Sequence, residues 1–253
     1  MRFASLGSGS RGNATLIQAG DTTLMVDCGF SISETEARLQ RLGVAPDAIA
    51  ALLVTHEHSD HVSGVARFAN RHGIPIRCTT GTRAACLKLG LDRAQPFDSH
   101  APFAIGDLQV IPVAVPHDAR EPTQFLFDDG AHRFGLLTDT GEITPHIRRM
   151  YDGCTALLLE CNHDRDMLES GTYPPSLKDR VSGPLGHLSN VQAAGFLRRL
   201  DTQWLQHLVA AHLSEKNNTP ELARTALAEA VDCEPDWIAV ADQQMGLDWR
   251  EIT

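Results

Sequence analysis

The chain opens on short apolar runs that alternate with glycine-containing turns, a pattern typical of a meander of β-strands. The runs RFASL, TLIQAG and TTLMVDCG follow one another within residues 2–29. A helix is predicted next, because Ser33 and Glu36 have the spacing of an N-terminal capping box and Gly43 is a suitable stop. The run IAALLVTH at 49–56 is apolar without alternation, which predicts a strand buried on both faces.

Strands and helices continue to alternate along the chain. Apolar residues at helical spacing within 62–69 predict a helix that ends at Gly73, and residues 75–91 have the pattern of a strand followed by a helix. The residues Asp129–Gly130 predict a hairpin turn. Further strands are predicted at the apolar runs LQVIPVAVPH, TQFLFDDGAHRFGLLTD, TALLLECN, HLVAAHLS and WIAVA, the last of which should complete the sheet.

Residues 163–190 depart from this regular alternation. They contain three prolines and three glycines among polar residues, which predicts an excursion over a site rather than core. A second capping box, formed by Ser189 and Gln192, then predicts a helix, and Thr219–Pro220 predicts the start of another. Because no repeat, low-complexity tract or linker is present, we expect a single domain over residues 1–253.

Composition and charge place the chain among ordinary globular proteins. Its 253 residues, 42% hydrophobic and 21% charged, suffice for a core without disulfides. The net charge of −10 argues against non-specific coating of nucleic acid but leaves room for a local basic groove. No run is long or apolar enough for a membrane span or a secretory signal, so no membrane association is expected. Six scattered cysteines favour reduced thiols in the cytoplasm.

Twelve histidines direct attention to metal binding, and the segment HEHSDH at 56–61 carries the strongest signal. In an extended segment His56 and His58 point to the same side, as two ligands of one ion should. Asp60 and His61 lie where the chain turns into the next helix, so they diverge and can serve a second ion. A solvated polar loop is the weaker alternative, because such groups are costly to bury without partners.

Further candidate ligands stand where predicted strands end. His117, Asp139 and His212 each follow an apolar run, and Asp27 stands in the same way after TLMV. Asp27 could orient a ligand histidine through a hydrogen bond. Any one of these residues alone would be interpreted as a satisfied surface group, but together with the 56–61 segment they favour ligation.

The segment HEHSDH and these strand-end residues resemble the HxHxDH motif and the other motif positions of metallo-β-lactamase-fold hydrolases, over the whole chain. The resemblance implies an α/β protein, a four-layer αββα sandwich with two divalent metal ions at one edge and no large cap domain. The implied ligands are His56, His58 and His117 for the first metal, Asp60, His61 and His212 for the second, and Asp139 as a bridge. A hydroxide held between the metals would be the nucleophile, which gives Asp60 a catalytic role as a ligand.

Other segments resemble the WalJ-type (YycJ-like) exonuclease branch of that family. They are LGSGSRGN, LLLECNHD, YPPSLKDRVSGPLGHLSN and HLSEKNN, and the Cys161 in the second is a mild departure from a serine. The branch implies cleavage of nucleic-acid phosphodiesters, with 5′ to 3′ action on DNA ends. The choice between DNA and RNA, the polarity of cleavage and the oligomeric state stay open.

Residues outside the ligand set are candidates for contact with substrate. His163 and His187 stand at the two ends of the 163–190 excursion and could bind phosphate or protonate the leaving oxygen. For each, a purely structural hydrogen bond is an open alternative. Six further residues, which lie in this excursion or in polar loops near a ligand, are expected to bind substrate: Ser10, Asn13, Arg165, Lys178, Arg180 and Asn217.

Other functions are compatible with parts of this pattern. A small-molecule phosphodiesterase or thioesterase would use the same site and would suit an acidic protein better. A di-iron redox protein of this fold resembles HxExD at the first motif, whereas this chain has His58 there. A binding module with a degenerate site has no support, because all seven ligands are present. Zinc suits the nitrogen-rich ligand set, although manganese and iron bind comparable sites.

Overall fold

Two seven-stranded sheets form the centre of the protein, and the computed structural model describes residues 1–253. The first sheet contains β1 (Arg2–Gly7), β2 (Ala14–Ala19), β3 (Thr22–Val26), β4 (Ile49–Leu53), β5 (Ile76–Thr79), β6 (Gln95–Phe97) and β14 (Leu247–Glu251). The second contains β7 (Phe103–Ile105), β8 (Leu108–Ala114), β9 (Thr123–Asp128), β10 (Arg133–Leu137), β11 (Ala156–Glu160), β12 (His207–Ala211) and β13 (Ala239–Val240).

The two sheets share one layout. In the first, the order is β14-β1-β2-β3-β4-β5-β6, antiparallel as far as β3 and parallel from β3 to β6. In the second, the order is β13-β12-β11-β10-β9-β8-β7, parallel as far as β10 and antiparallel beyond it. Each sheet therefore consists of an antiparallel meander and a second half in which the strands are parallel.

Nine helices complete the fold. They are α1 (Ile32–Arg41), α2 (Ser59–Val62), α3 (Val65–His72), α4 (Thr80–Ala85), α5 (Pro145–Tyr151), α6 (Arg165–Ser170), α7 (Pro175–Ser182), α8 (Asn190–Leu197) and α9 (Pro220–Val231). No helix has the length and apolarity needed to span a bilayer.

Alternation along the strands divides the buried side chains among three layers of core. In β3, Leu24 and Val26 pack between the two sheets, whereas Met25 faces the helices outside the first sheet. In β11, Leu158 packs between the sheets and Leu157 faces the helices outside the second sheet. Three cores separate four layers, so the predicted αββα sandwich is confirmed, and no large cap domain is inserted.

Two helix boundaries differ from the prediction. The N-cap of α1 is Ser31, whose hydroxyl accepts from the backbone N–H of Glu34 at 3.3 Å, so the predicted start at Ser33 is wrong by two residues. The helix predicted through 62–73 is interrupted at Gly64, where a Cβ would lie 2.0 Å from the carbonyl oxygen of Phe30. The chain passes too close to the loop after β3 for a side chain at this position.

The last strand was missed. The run WIAVA contributes only Ala239–Val240, and the chain then continues to Leu247–Glu251, which pairs with β1 at the edge of the first sheet. This edge strand is mostly solvent-exposed and rich in charged residues, so its sequence lacks the long apolar run used to predict the others. The expected capping box of Ser189 and Gln192 is present at the start of α8.

Candidate metal centre and active site

The seven ligand candidates converge where strands of both sheets end. The segment after β4, which runs into α2, supplies four of them, and the chain beyond the ends of β8, β10 and β12 supplies the other three. Their ligand-type atoms lie within 4.8 Å of one another in three overlapping groups: His56, His58 and His117; Asp60, His61 and His212; and His56, His61 and Asp139.

Four of the five histidines of this cluster share one hydrogen-bonding pattern, and His58 is the exception because its Nδ1 faces Nε2 of His117 at 3.2 Å. Four of them place Nδ1 against a protein acceptor: His56 on Thr55 Oγ1 (2.9 Å), His61 on Asp27 Oδ2 (2.8 Å), His117 on the Gly186 carbonyl (3.1 Å) and His212 on Glu160 Oε1 (2.9 Å). An Nδ1–H that donates in this way leaves Nε2 with a free lone pair. This is the tautomer that a metal ligand requires.

Several atoms at the centre of the cluster lack partners. Nε2 of His56, Nε2 of His212 and Oδ2 of Asp139 are buried and have no hydrogen bond. Buried polar atoms almost always have a hydrogen-bond partner, so three buried atoms without one in the same place need an explanation. Imidazole nitrogens and carboxylate oxygens are ligands of divalent transition metals. The cluster is therefore suited to binding metal ions.

Negative charge dominates around His61 and His212, whereas burial lowers the pKa of His56 and of His117. Burial alone would lower the pKa of His61, but the carboxylates of Asp139 and Asp60 raise it well above its ordinary value. Burial likewise opposes protonation of His212, whose pKa Asp139 and other carboxylate neighbours raise to about 10. Carboxylates that hold protons on imidazoles in this way would hold divalent cations in their place.

Asp27 lies beneath the segment that follows β4. Its Oδ2 accepts from Nδ1 of His61 and from the hydroxyl of Thr55, each at 2.8 Å, and its Oδ1 accepts from the Thr55 N–H at 2.8 Å. Thr55 in turn contacts Nδ1 of His56. Asp27 thus orients one histidine directly and a second through Thr55.

Glu160 is a functional candidate that the sequence analysis missed. It is fully buried at the end of β11, and its carboxylate accepts from Nδ1 of His187 and Nδ1 of His212, each at 2.9 Å. The backbone N–H groups of Asp139, Thr140 and Leu188 also donate to it. The available signal was a carboxylate at the end of an apolar strand, as at Asp27 and Asp139.

Backbone strain is concentrated at this site. Asp27, Asp139 and His212 have positive φ angles of 61°, 52° and 54°, a region that residues other than glycine rarely adopt. The one other such residue is Asp232, at the C-terminus of α9. Each strained residue costs about 1–3 kcal/mol, which the surrounding fold must offset. The sharp turn after each strand aims these side chains toward the cluster.

A cavity of about 320 Å³ opens onto the cluster. His58, Asp60, Asp139, His187 and His212 line it together with further residues of the 163–190 segment. Two of the residues expected to bind substrate, Ser10 and Arg180, also line it.

The other candidates for substrate contact lie elsewhere. Asn13 is buried, and its amide donates to Asp60 Oδ2 at 3.1 Å, a contact that positions a ligand candidate. Asn217 is buried under the loop that contains Gly171. His163 is buried, and burial lowers its pKa to about 4. With Arg165 and Lys178 it lines a separate cavity on the other face of α7.

Comparisons with known proteins agree with this geometry. The model of the Beta-lactamase superfamily domain matches residues 22–212. The chain is 33% identical to Exodeoxyribonuclease YycJ of Bacillus anthracis, over 92% of this chain and 89% of that protein. It is 31% identical to Exodeoxyribonuclease WalJ of Streptococcus pneumoniae (D39), over 98% of this chain and 92% of that protein.

A solved structure extends the comparison to the fold. YhfI of Bacillus subtilis, a metallo-β-lactamase fold protein, superposes with a TM-score of 0.76 over 99% of both chains at 16% identity. The fold and the cluster thus define a metallo-β-lactamase-fold protein. The chain belongs to the β-lactamase superfamily and, within it, to the YycJ/WalJ family, as the resemblance implied.

Proposed function

We propose that this protein is a metal-dependent nuclease that removes nucleotides from DNA ends in the 5′ to 3′ direction. The observation that carries the proposal is a cluster of metal-ligand side chains at the base of an open cavity. Support for the substrate class comes from two relatives named exodeoxyribonucleases that match nearly the whole chain.

The donor groups suggest two metal positions. His56, His58 and His117 would hold one divalent ion, and Asp139 would be shared with the other. Asp60, His61 and His212 would hold that second ion. Bound divalent ions lower the pKa of water toward neutrality and offset negative charge on a phosphate. Zinc suits a set rich in imidazole, and manganese is the alternative to test.

The role of His187 follows from its contact with Glu160. Burial would raise the pKa of Glu160, but electrostatic attraction to His187 and hydrogen bonds from His187 and His212 lower it to about 2, so this group is a carboxylate that accepts from Nδ1 of His187. As an imidazolium, His187 would keep its Nδ1–H on Glu160 and donate the Nε2 proton to the leaving oxygen. Glu160 acts as the positioning residue and His187 as the proton donor.

Phosphate contacts can come from the cavity wall. Arg180 lines the cavity and donates through Nε to Asp118 Oδ2 at 2.6 Å, which leaves the terminal guanidinium nitrogens for a phosphate. Ser10 adds a hydroxyl. A local contact of this kind is compatible with a net charge of −10. Six unpaired cysteines fit the reducing cytoplasm, where we place the protein.

The test is degradation of a 5′-phosphorylated DNA duplex with added Mn²⁺ or Zn²⁺, labelled in turn at each end. We compare the wild type with Asp60→Ala and with Asp47→Ala, the same substitution at an exposed residue. Stepwise loss from the 5′ end should fall by more than about 100-fold in Asp60→Ala, beyond the effect of residues that only orient a ligand. Asp47→Ala should match the wild type.

Other results would contradict the proposal in distinct ways. Stepwise loss from the 3′ end would reverse the polarity, and large internal fragments would indicate an endonuclease. Intact DNA with every metal, together with hydrolysis of a small phosphodiester or thioester that Asp60→Ala abolishes, would indicate a small-molecule hydrolase.

A further inference from the structure

The cavity over the cluster has a single apolar patch. Its three apolar lining residues, Tyr173, Leu177 and Val181, all come from α7 and the turn before it. Leu177 and Val181 are four residues apart and so share one face of the helix. Tyr173 precedes Pro174, the N-cap of α7. The rest of the lining is polar or belongs to the His/Asp cluster.

The two tyrosines of the chain have contrasting environments. Tyr151 is fully buried, and its hydroxyl donates to the carbonyl of Leu136 at 2.6 Å. Tyr173 is half-buried at the cavity, and its hydroxyl has no hydrogen-bond partner in the protein. The ammonium of Lys216, in the loop after β12, lies 5.5 Å from the Tyr173 ring centroid, within cation–π range. The ring of Tyr173 therefore contacts Lys216 but is not part of the hydrophobic core.

An aromatic ring beside aliphatic side chains matches the flat face of a nucleobase. Base–aromatic stacking is tolerant of sequence, because every base has a π-face. The cavity volume of about 320 Å³ is near the lower limit for small-ligand sites, so it suits one nucleotide rather than a duplex. A phosphate at the His/Asp cluster would place the attached base within the same cavity.

We propose that Tyr173, with Leu177 and Val181, forms a nucleobase subsite that stacks on the base of the nucleotide whose phosphate lies at the His/Asp cluster. This inference rests on the proposed nuclease function and adds a specificity element to it. The subsite accepts any of the four bases and disfavours phosphodiesters that lack a flat aromatic group. It explains how an acidic protein gains affinity for a DNA end without a long basic track.

The first measurement is equilibrium binding by calorimetry, in the presence of Mn²⁺, of 2′-deoxyadenosine 5′-monophosphate and of 2-deoxyribose 5-phosphate. The wild type should bind the nucleotide about 5- to 150-fold more tightly than the sugar phosphate, the range expected for one stacked base. Tyr173→Ala should lose that preference and keep its affinity for the sugar phosphate. Tyr173→Phe should retain the preference, because the ring is preserved.

The second measurement is cleavage of two oligonucleotides that differ only in an abasic end nucleotide. Tyr173→Ala should lower kcat/KM on the normal end by about 5- to 150-fold and leave the abasic end within about 2-fold of the wild type. An equal loss on both ends would show a purely structural role and overturn the subsite, while the nuclease proposal stands. Nucleotide binding that depends on Tyr173, without cleavage of any DNA, would reject the nuclease and retain the subsite.

Discussion

Two buried carboxylates, Asp27 and Glu160, support the two halves of the site in different ways. Asp27 follows β3 in the first sheet and has three hydrogen-bond donors, two from Thr55 and one from His61. Glu160 ends β11 in the second sheet and has five donors, two imidazoles and three backbone N–H groups. Both side chains are fully enclosed by the fold.

Burial and the neighbouring imidazoles shift the pKa values of the two carboxylates in opposite directions. Burial raises the pKa of Asp27 above its ordinary value, and the contacts with His61 and Thr55 offset only part of that effect. Burial acts on Glu160 too, but the contacts with His187 and His212 outweigh it and lower its pKa to about 2. Glu160 is thus the stronger anchor, and it serves both a ligand candidate and the proposed proton donor.

The largest loss of metal affinity and activity is expected for Glu160→Gln. The substitution preserves volume but removes the negative charge and replaces one carboxylate oxygen with an NH₂ group. In either orientation of the amide this NH₂ faces N–H donors: those of His187, His212 and Asp139 on one side, or those of Thr140 and Leu188 on the other. We expect a loss of about 10- to 100-fold in both metal affinity and kcat/KM. Metal content after dialysis and DNA cleavage kinetics measure the two effects. Glu229→Gln, the same change at an exposed position of α9, is the control. If Glu160→Gln bound metal and cleaved DNA as the wild type does, Glu160 would have no role in the site.

A smaller effect is expected for Asp27→Asn. Asparagine tolerates the positive φ at this position, and its amide oxygen can still accept from His61 or Thr55. We expect a loss of about 10-fold in metal affinity, at the lower end for residues that orient a ligand. The control is Asp232→Asn, an exposed residue with a similar φ of 54°. A loss larger than that of Glu160→Gln would show that donor number does not set the importance of these anchors.

The smallest effect should come from Arg180→Ala, which touches neither anchor. It should raise KM for DNA by about 3- to 5-fold and reduce the salt dependence of binding by about one unit of slope, as loss of one phosphate contact does. Arg165 begins α6 and lines the second cavity, so Arg165→Ala should leave both quantities unchanged if the DNA end stays within the main cavity. Equal effects would mean that the strand also crosses the second cavity, as the sequence analysis expected for Arg165.

The predictability of the site differs between its two halves. His56, His58, Asp60 and His61 were recognisable because four ligand-type side chains within six residues follow a buried strand. The ligand candidates of the second sheet, His117, Asp139 and His212, were visible only as single polar residues after apolar runs. Glu160 has the same pattern, but its function depends on a contact with His187, which lies 27 residues further along the chain.

The positions of the candidates for substrate contact also depend on the tertiary structure. Lys178 and Arg180 are two residues apart, yet they lie on different faces of α7 and line different cavities. Arg165, at the start of α6, lines the same cavity as Lys178. Asn13 was expected at the substrate, but the chain brings Asp60 next to it across 47 residues of sequence. The missed strand, β14, lies at the edge of its sheet. Few of its residues are buried, so its sequence does not show the apolar run or alternation by which a strand is predicted.

By itself, the sequence determined the layered α/β fold, most strand positions and the ligand-type side chains, because burial imposes periodicity and strand ends carry the polar residues. The tertiary structure alone decided which polar groups meet: the Glu160 contacts, the positive φ angles at three site residues and the placement of Tyr173 on the cavity wall. These depend on sheet pairing and close packing between segments far apart in the chain, to which local periodicity is insensitive.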